Sequence, residues 1–156
     1  MKFRFRLEKV LAHRRRVEDE AKRVYFEAKI KTETALKELE GLYQQIDDAR
    51  ARGHELVTGE AQTVSPRYAT PILQHTDLFI GGQKIRIENQ RKKIRDLKGE
   101  EERLQDLLAE AARERKAMEK LREKHREEFL AEQNRREREE ADDLSVMRFG
   151  RGEGPV

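Results

Sequence analysis

Cysteine and tryptophan are absent from this sequence, proline occurs three times, and aromatic residues make up only 6% of its 156 positions. Without cysteine, neither a disulfide framework nor a cysteine-ligated zinc cluster can form. Apolar runs are short: Leu78-Phe79-Ile80 falls far below the roughly 20 residues that a membrane-spanning helix needs. The opening MKFRFRLEKV lacks the apolar stretch of roughly 7–15 residues that marks a signal peptide, so a soluble, non-secreted protein is expected. Hydrophobic residues are scarce as well, at 35% against 43% charged. A compact domain runs at about 45–50% apolar and about 25% charged, so a sizeable globular core is excluded. One-sided charge is missing too. Lys and Arg number 35, Asp and Glu 32, and the net of +3 is unlike a self-repelling disordered chain.

What the sequence has is periodicity. From Val10 to Ala49 a stripe steps by three and four through Val10, Arg14, Val17, Ala21, Val24, Ala28, Thr32, Ala35, Leu39, Leu42, Ile46 and Ala49. Ten of these twelve are apolar against seven of the other twenty-eight, which selects a helix over a strand. The stripe is narrow, as in a coiled-coil seam. Two consecutive steps of four, from Val24 through Ala28 to Thr32, read as a stutter that unwinds the supercoil locally. A second heptad runs through Ile87, Gln90, Ile94, Leu97, Glu101, Leu104, Leu108, Ala111, Arg115 and Met118, seven of the ten being apolar. It then weakens, with Arg122, His125 and Glu132 on the stripe and only Phe129 apolar.

Between the stripes lie Gly53, Gly59, Pro66 and Pro71, and Gly81-Gly82 follows. Ser65-Pro66 is good chemistry for a helix start, whereas Pro71 and the glycine pair predict breaks. The expected fold is all-α: a long antiparallel two-helix coiled-coil hairpin with short helical turns at the tip. Its expected parts are helix one over 3–52, a tip over 53–82, helix two over 83–142 and a flexible tail over 143–156, all in one domain. A parallel homodimer is the competing architecture. Folding back is favoured because it makes pairing intramolecular, at an effective concentration in the millimolar range.

No catalytic constellation is visible. His13, His54, His75 and His125 lack metal-ligand spacing; His54 and His75 both lie in the tip, where they read as solvated loop residues. Gly81-Gly82 has neither the Lys-Ser/Thr nor the preceding strand of a phosphate loop. The expectation is a protein that is not an enzyme, with no metal, no cofactor and no small-molecule ligand. Charge placement is more telling. Residues 1–16 carry Lys2, Arg4, Arg6, Lys9, Arg14, Arg15 and Arg16 against Glu8; residues 83–98 carry seven cations against Glu88 and Asp96; residues 137–143 have a net of −4. In a hairpin the basic start and the acidic end meet, either neutralising each other or forming a docking surface. Two apolar clusters lie off the stripes: Tyr68, Ile72, Leu73, Leu78, Phe79 and Ile80 at the tip, and Leu144, Val146, Met147 and Phe149 in the tail. The tip cluster caps the hairpin or binds a partner, and the tail cluster has the look of a segment ordered by one.

The opening KFRFRLEKVLAHRRRVEDEA, the stripe after it and the closing DDLSVMRF resemble the FliJ family of flagellar export proteins. That resemblance implies a cytoplasmic component of the flagellar type III export apparatus. Such a component is peripheral to the cytoplasmic face of the inner membrane at the flagellar base. It implies a hairpin similar to the stalk of rotary ATPases, engaging a hexameric export ATPase, the export gate's cytoplasmic domain and export chaperones. On that reading Arg4, Arg6, Arg14, Arg15, Arg16, Met147 and Phe149 are candidates for ATPase contact. Tyr68, Leu78 and Phe79 are candidates for the gate, although Gln83 stands where the family has an aliphatic side chain. Val17, Val24, Leu39, Leu42, Ile46, Ile87, Ile94, Leu97, Leu104, Leu108 and Met118 are the seam. The rivals are an injectisome-type stalk and a DNA-binding structural coiled coil. Against the latter, Phe3, Phe5, Tyr25 and Phe26 form no stacking platform with the basic residues.

Overall fold

The structure, a computed structural model, describes residues 2–58 and 65–152. They form two helices packed as a hairpin, α1 over Glu8–Thr58 and α2 over Pro66–Gly150, with no strand among the described residues. The chain divides into two compact units: Met1–Glu20 with Ala109–Val156, and Ala21–Leu108.

The helix ends follow from local chemistry. Glu8 sits in the first turn of α1, where the helix dipole favours an anion. Pro66 opens α2, where a missing N–H costs nothing, and the Tyr68 N–H donates to the Ser65 carbonyl at 2.9 Å. At the far end Arg148 lies in the last turn, and Gly152 takes a left-handed φ of 73° with its N–H 3.3 Å from the Phe149 carbonyl. Only glycine adopts that conformation freely, and this stops the helix.

These bounds differ from the expected ones. The helix α1 runs to Thr58 and carries Gly53 inside it; α2 runs unbroken from Pro66 to Gly150, through Pro71, Gly81-Gly82 and the segment read as a tail. Pro71 removes one bond, to the Arg67 carbonyl, and both residues lie on an exposed part of the helix. Gly81 and Gly82 are exposed, while their neighbours Ile80 and Gln83 are buried. Packing on either side offsets the helix penalty of roughly 1 kcal/mol per glycine. No breaker separates Asp142 from Gly150, and the Ser145 hydroxyl donates to the Ala141 carbonyl at 2.9 Å within the helix. Gly59 and Thr63, part of the expected tip, lie outside the described residues.

The unit Ala21–Leu108 has the apolar core. Ile46, Ile80 and Ile87 are buried together, with Leu39 and Leu42 packed against them; Ala28, Ala35, Ile94 and Leu104 are buried as well. Val24, Leu97 and Leu108 are half-buried. Thr32 is buried without penalty because its hydroxyl donates to the Ala28 carbonyl at 3.1 Å. At Gly53 the helices come so close that an added Cβ would lie 3.0 Å from Thr76 Oγ1. Gly53 is therefore a contact point, not a terminator. Antiparallel pairing shows in Gln90 Nε2 donating to the Ala35 carbonyl at 2.9 Å and Gln83 Nε2 to Gln45 Oε1 at 2.7 Å.

The other unit is built mainly on charge. Its buried apolar residues are Phe5, Leu11 and Ala111. Leu11 is fully buried, whereas Val10 and Val17 remain 41% and 36% exposed. The inward positions on this part of α1 are Leu11, Arg14 and Glu18, one residue out of frame with Val10 and Val17. In sequence, Leu11, Arg14, Glu18 and Ala21 continue the three-four spacing of Ala28, Thr32 and Ala35 through Tyr25. The consecutive fours of the apolar count, from Val24 through Ala28 to Thr32, arise from taking Val24 rather than Tyr25 as seam. On α2, Arg115 and Met118 are half-buried.

Candidate functional site

The basic start of the chain is the first candidate surface. Phe3 packs on Phe129 with ring centroids 5.7 Å apart, and Phe5 packs edge-on against His125 at the same distance. These contacts lay the segment before α1 along α2. Behind it, Glu8 meets Arg122 at 3.2 Å, Arg14 meets Glu114, and Arg15 meets Glu119 at 3.3 Å. Arg115 bonds Glu18 across the helices and Glu119 along its own helix at 2.6 Å. The hydrogen bond that Arg115 donates to Glu18, with the nearby carboxylates, raises the Arg115 pKa above its ordinary value.

Five arginines were expected to act alike, and the structure separates them. Arg14 and Arg15 are engaged by glutamates of α2. Arg4, Arg6 and Arg16 are exposed and make no ion pair among the described residues. Among the described residues no ion pair joins the acidic stretch 137–143 to residues 2–16, and Phe3 lies opposite Phe129, eight residues before that stretch begins. Met147 and Phe149 are 62% and 77% exposed. They lie about 27 Å or more along the helix from Phe129 at 1.5 Å per residue, so they do not join the arginines. Nor do they share a face, since two residues turn a helix by about 200°.

The second candidate surface lies on Ala21–Leu108. Phe79, 42% exposed, lines a groove with Leu56, Ile72, Gly53, Thr76 and His75. Tyr68, eleven residues earlier, shares its helical face to within about 20°. Leu78 is turned about 100° away and is 78% exposed. Gln83, expected beside Phe79 as a surface position, is 4% exposed and faces Gln45 in the seam. His54 lines a different groove, with Arg50, Asp77 and Lys84, and contacts Thr58, so the two tip histidines do not converge. Among the described residues no cluster of three or more metal-ligating side chains occurs.

Charge on the basic stretch 83–98 divides in a similar way. Lys93 meets Glu38 at 3.7 Å, and Arg91 bonds the Tyr43 hydroxyl while lying 5.8 Å from its ring centroid. Lys84, Arg86, Lys92, Arg95 and Lys98 are exposed and make no ion pair among the described residues. Farther along α2, Arg135 and Arg136 both bond Glu132 and pull its pKa from 4.5 to about 2. Sequence reasoning missed the Glu18–Arg115 pair. An unbroken frame through Leu11 and Arg14 would have placed Glu18 on the seam.

No described helix is long and apolar enough to cross a membrane. No curated protein and no solved structure matches the chain. A family profile described as "Flagellar FliJ protein" does match, over residues 2–154 of the 156. A two-helix hairpin carrying the KFRFRLEKV opening, matched almost end to end, is thus a component of flagellar protein export: the chain belongs to the FliJ family.

Proposed function

We propose that this protein acts by binding alone, as a stalk-like coiled coil that engages the hexameric flagellar export ATPase and promotes its assembly and activity. In the same reading it links the ATPase to the cytoplasmic domain of the export gate and to export chaperones, and works in the cytoplasm at the flagellar base. The observation that carries the ATPase contact is the division among the N-terminal arginines. Arg4, Arg6 and Arg16 are exposed cations that make no ion pair among the described residues, beside Arg14 and Arg15, which are held by α2. An unpaired guanidinium is free to make a bidentate contact with a partner's carboxylate. The tail residues Met147 and Phe149 add apolar contacts at a separate place, and Tyr68, Leu78 and Phe79 serve the gate.

ATP hydrolysis by the cognate export ATPase, titrated with this protein at physiological salt, tests the reading. Saturable stimulation is expected. The triple variant R4E/R6E/R16E should lose most of it with helicity intact, while a charge reversal at Lys92 and Lys98 should not. Stimulation that is absent, or untouched by the triple variant, would remove these arginines from the contact.

A further inference from the structure

Past Phe129, α2 carries a second stripe that the hairpin does not use. Leu130, Gln133, Glu137, Glu140, Leu144 and Met147 succeed one another by steps of three and four. That is the spacing of a coiled-coil seam. It is displaced by one residue, about 100° around the helix, from the stripe of Met118, Arg122 and Phe129 that faces the N-terminal segment. Leu130, Leu144 and Met147 are 46%, 58% and 62% exposed, and every side chain from 134 to 152 lies in solvent. The stripe is apolar at both ends and acidic in the middle.

The middle is the informative part. Arg135 and Arg136 are taken by Glu132 and Glu139, and Glu137 and Glu140 make no ion pair among the described residues. Elsewhere in the same unit, charges on or beside the seam are answered from the opposite helix: Arg14 by Glu114, Arg115 by Glu18, Arg122 by Glu8. By the same chemistry Glu137 and Glu140 call for cations on a facing helix. A second copy of this stripe would set carboxylates against carboxylates, which costs rather than gains energy.

We propose that Leu130, Glu137, Glu140, Leu144 and Met147 form the docking seam for a helix of another protein, apolar at its ends with Lys or Arg at the two central positions. The seam spans about 26 Å, five helical turns. This goes beyond the ATPase reading, because it holds whichever export component supplies the helix, and it is tested without the ATPase.

The test uses the full chain and two labelled synthetic helices of about 21 residues, read by fluorescence anisotropy. Both helices carry Leu at the apolar seam positions; one has Lys at the two central positions and its twin has Glu. The basic helix should bind about tenfold or more tighter than the acidic twin at physiological salt. E137K/E140K should invert that preference with the circular dichroism unchanged, and L144A/M147A should weaken both complexes. Equal binding of the two helices, or a preference that survives E137K/E140K, would overturn the proposal. So would concentration-dependent self-association in sedimentation that L144A/M147A abolishes, since the stripe would then belong to a second copy.

Discussion

The two units of this hairpin are held by different forces. In Ala21–Leu108 the facing side chains are Ile46, Ile80, Ile87, Ile94 and Leu104, interleaved with small Ala28, Ala35 and Gly53. In Met1–Glu20 with Ala109–Val156, Phe5, Leu11 and Ala111 alone are buried and apolar among the described residues, and Arg14, Glu18, Arg115 and Arg122 make ion pairs between the helices. Burying apolar area gives stability that salt barely touches, roughly 25 cal/mol per Å². Partly exposed ion pairs give less, and salt screens them over about 8–10 Å. One unit is therefore a permanent seam. The other is a conditional one, and it carries the unpaired arginines proposed to meet the ATPase.

The largest effect expected is from Leu104→Pro. It removes a hydrogen bond inside α2, clashes with the preceding turn and deletes a buried side chain, for about 3 kcal/mol or more. Helicity by circular dichroism should fall sharply in the unit Ala21–Leu108; unchanged melting would refute the seam at Leu104. Next come two matched truncations. Ile87→Ala should cost about 2–5 kcal/mol, as a buried Ile does in a packed core. Leu11→Ala should act locally, with amide exchange accelerating over 2–20 and 109–129 while 21–108 keeps its protection. Added sodium chloride should loosen the same amides as Leu11→Ala and leave those around Ile87 unaffected. If salt loosens both units equally, the contrast between them fails.

The contrast also explains what could be read from the sequence. Ile87, Ile94, Leu97 and Leu104 were legible because apolar residues repeated at heptad spacing and nothing competed with them. The pattern misled where charge does the work of the seam. Val10 and Val17 fit an apolar stripe, yet Leu11, Arg14 and Glu18 face α2, and hydrophobicity alone does not place Glu18 there. Glycine and proline misled at the other end. Glycine and proline usually punctuate, but here Gly53 is a close contact and Pro71 sits on an exposed stretch inside α2. For the candidate site, the sequence marked the right basic segment. It did not show which arginines α2 holds, because that depends on register between residues about a hundred apart.

Glycines sharpen the comparison by sign. A Cβ at Gly81 or Gly82 would meet nothing within 4 Å, so Gly81→Ala and Gly82→Ala should each raise stability by up to about 1 kcal/mol. At Gly53 a Cβ would press on Thr76 Oγ1 at 3.0 Å, and that hydroxyl already donates to the Ile72 carbonyl. Gly53→Ala should therefore gain nothing and lower the melting temperature. A rise like that of Gly81→Ala would mean the helices are not in contact there.

The smallest effect concerns pH, and it falls in the solvated part of α2. Hydrogen bonds from Arg135 and Arg136 lower the Glu132 pKa from 4.5 to about 2 in the folded chain. A carboxyl whose folded pKa is depressed contributes stability that is fully present above 4.5 and is lost as pH falls toward 2. In the wild type, helix around 129–140 should fray across that window. Glu132→Gln keeps the side chain's shape but removes its charge, so that part of the fraying should disappear while the rest of α2 titrates as before. Because the group is exposed, the change is local and should be read from amide exchange of residues 129–140 rather than from the global melt. Identical profiles for the two proteins would mean that the Arg135 and Arg136 bonds do not hold Glu132 in solution. The acidic stretch would then owe its helicity to backbone propensity alone.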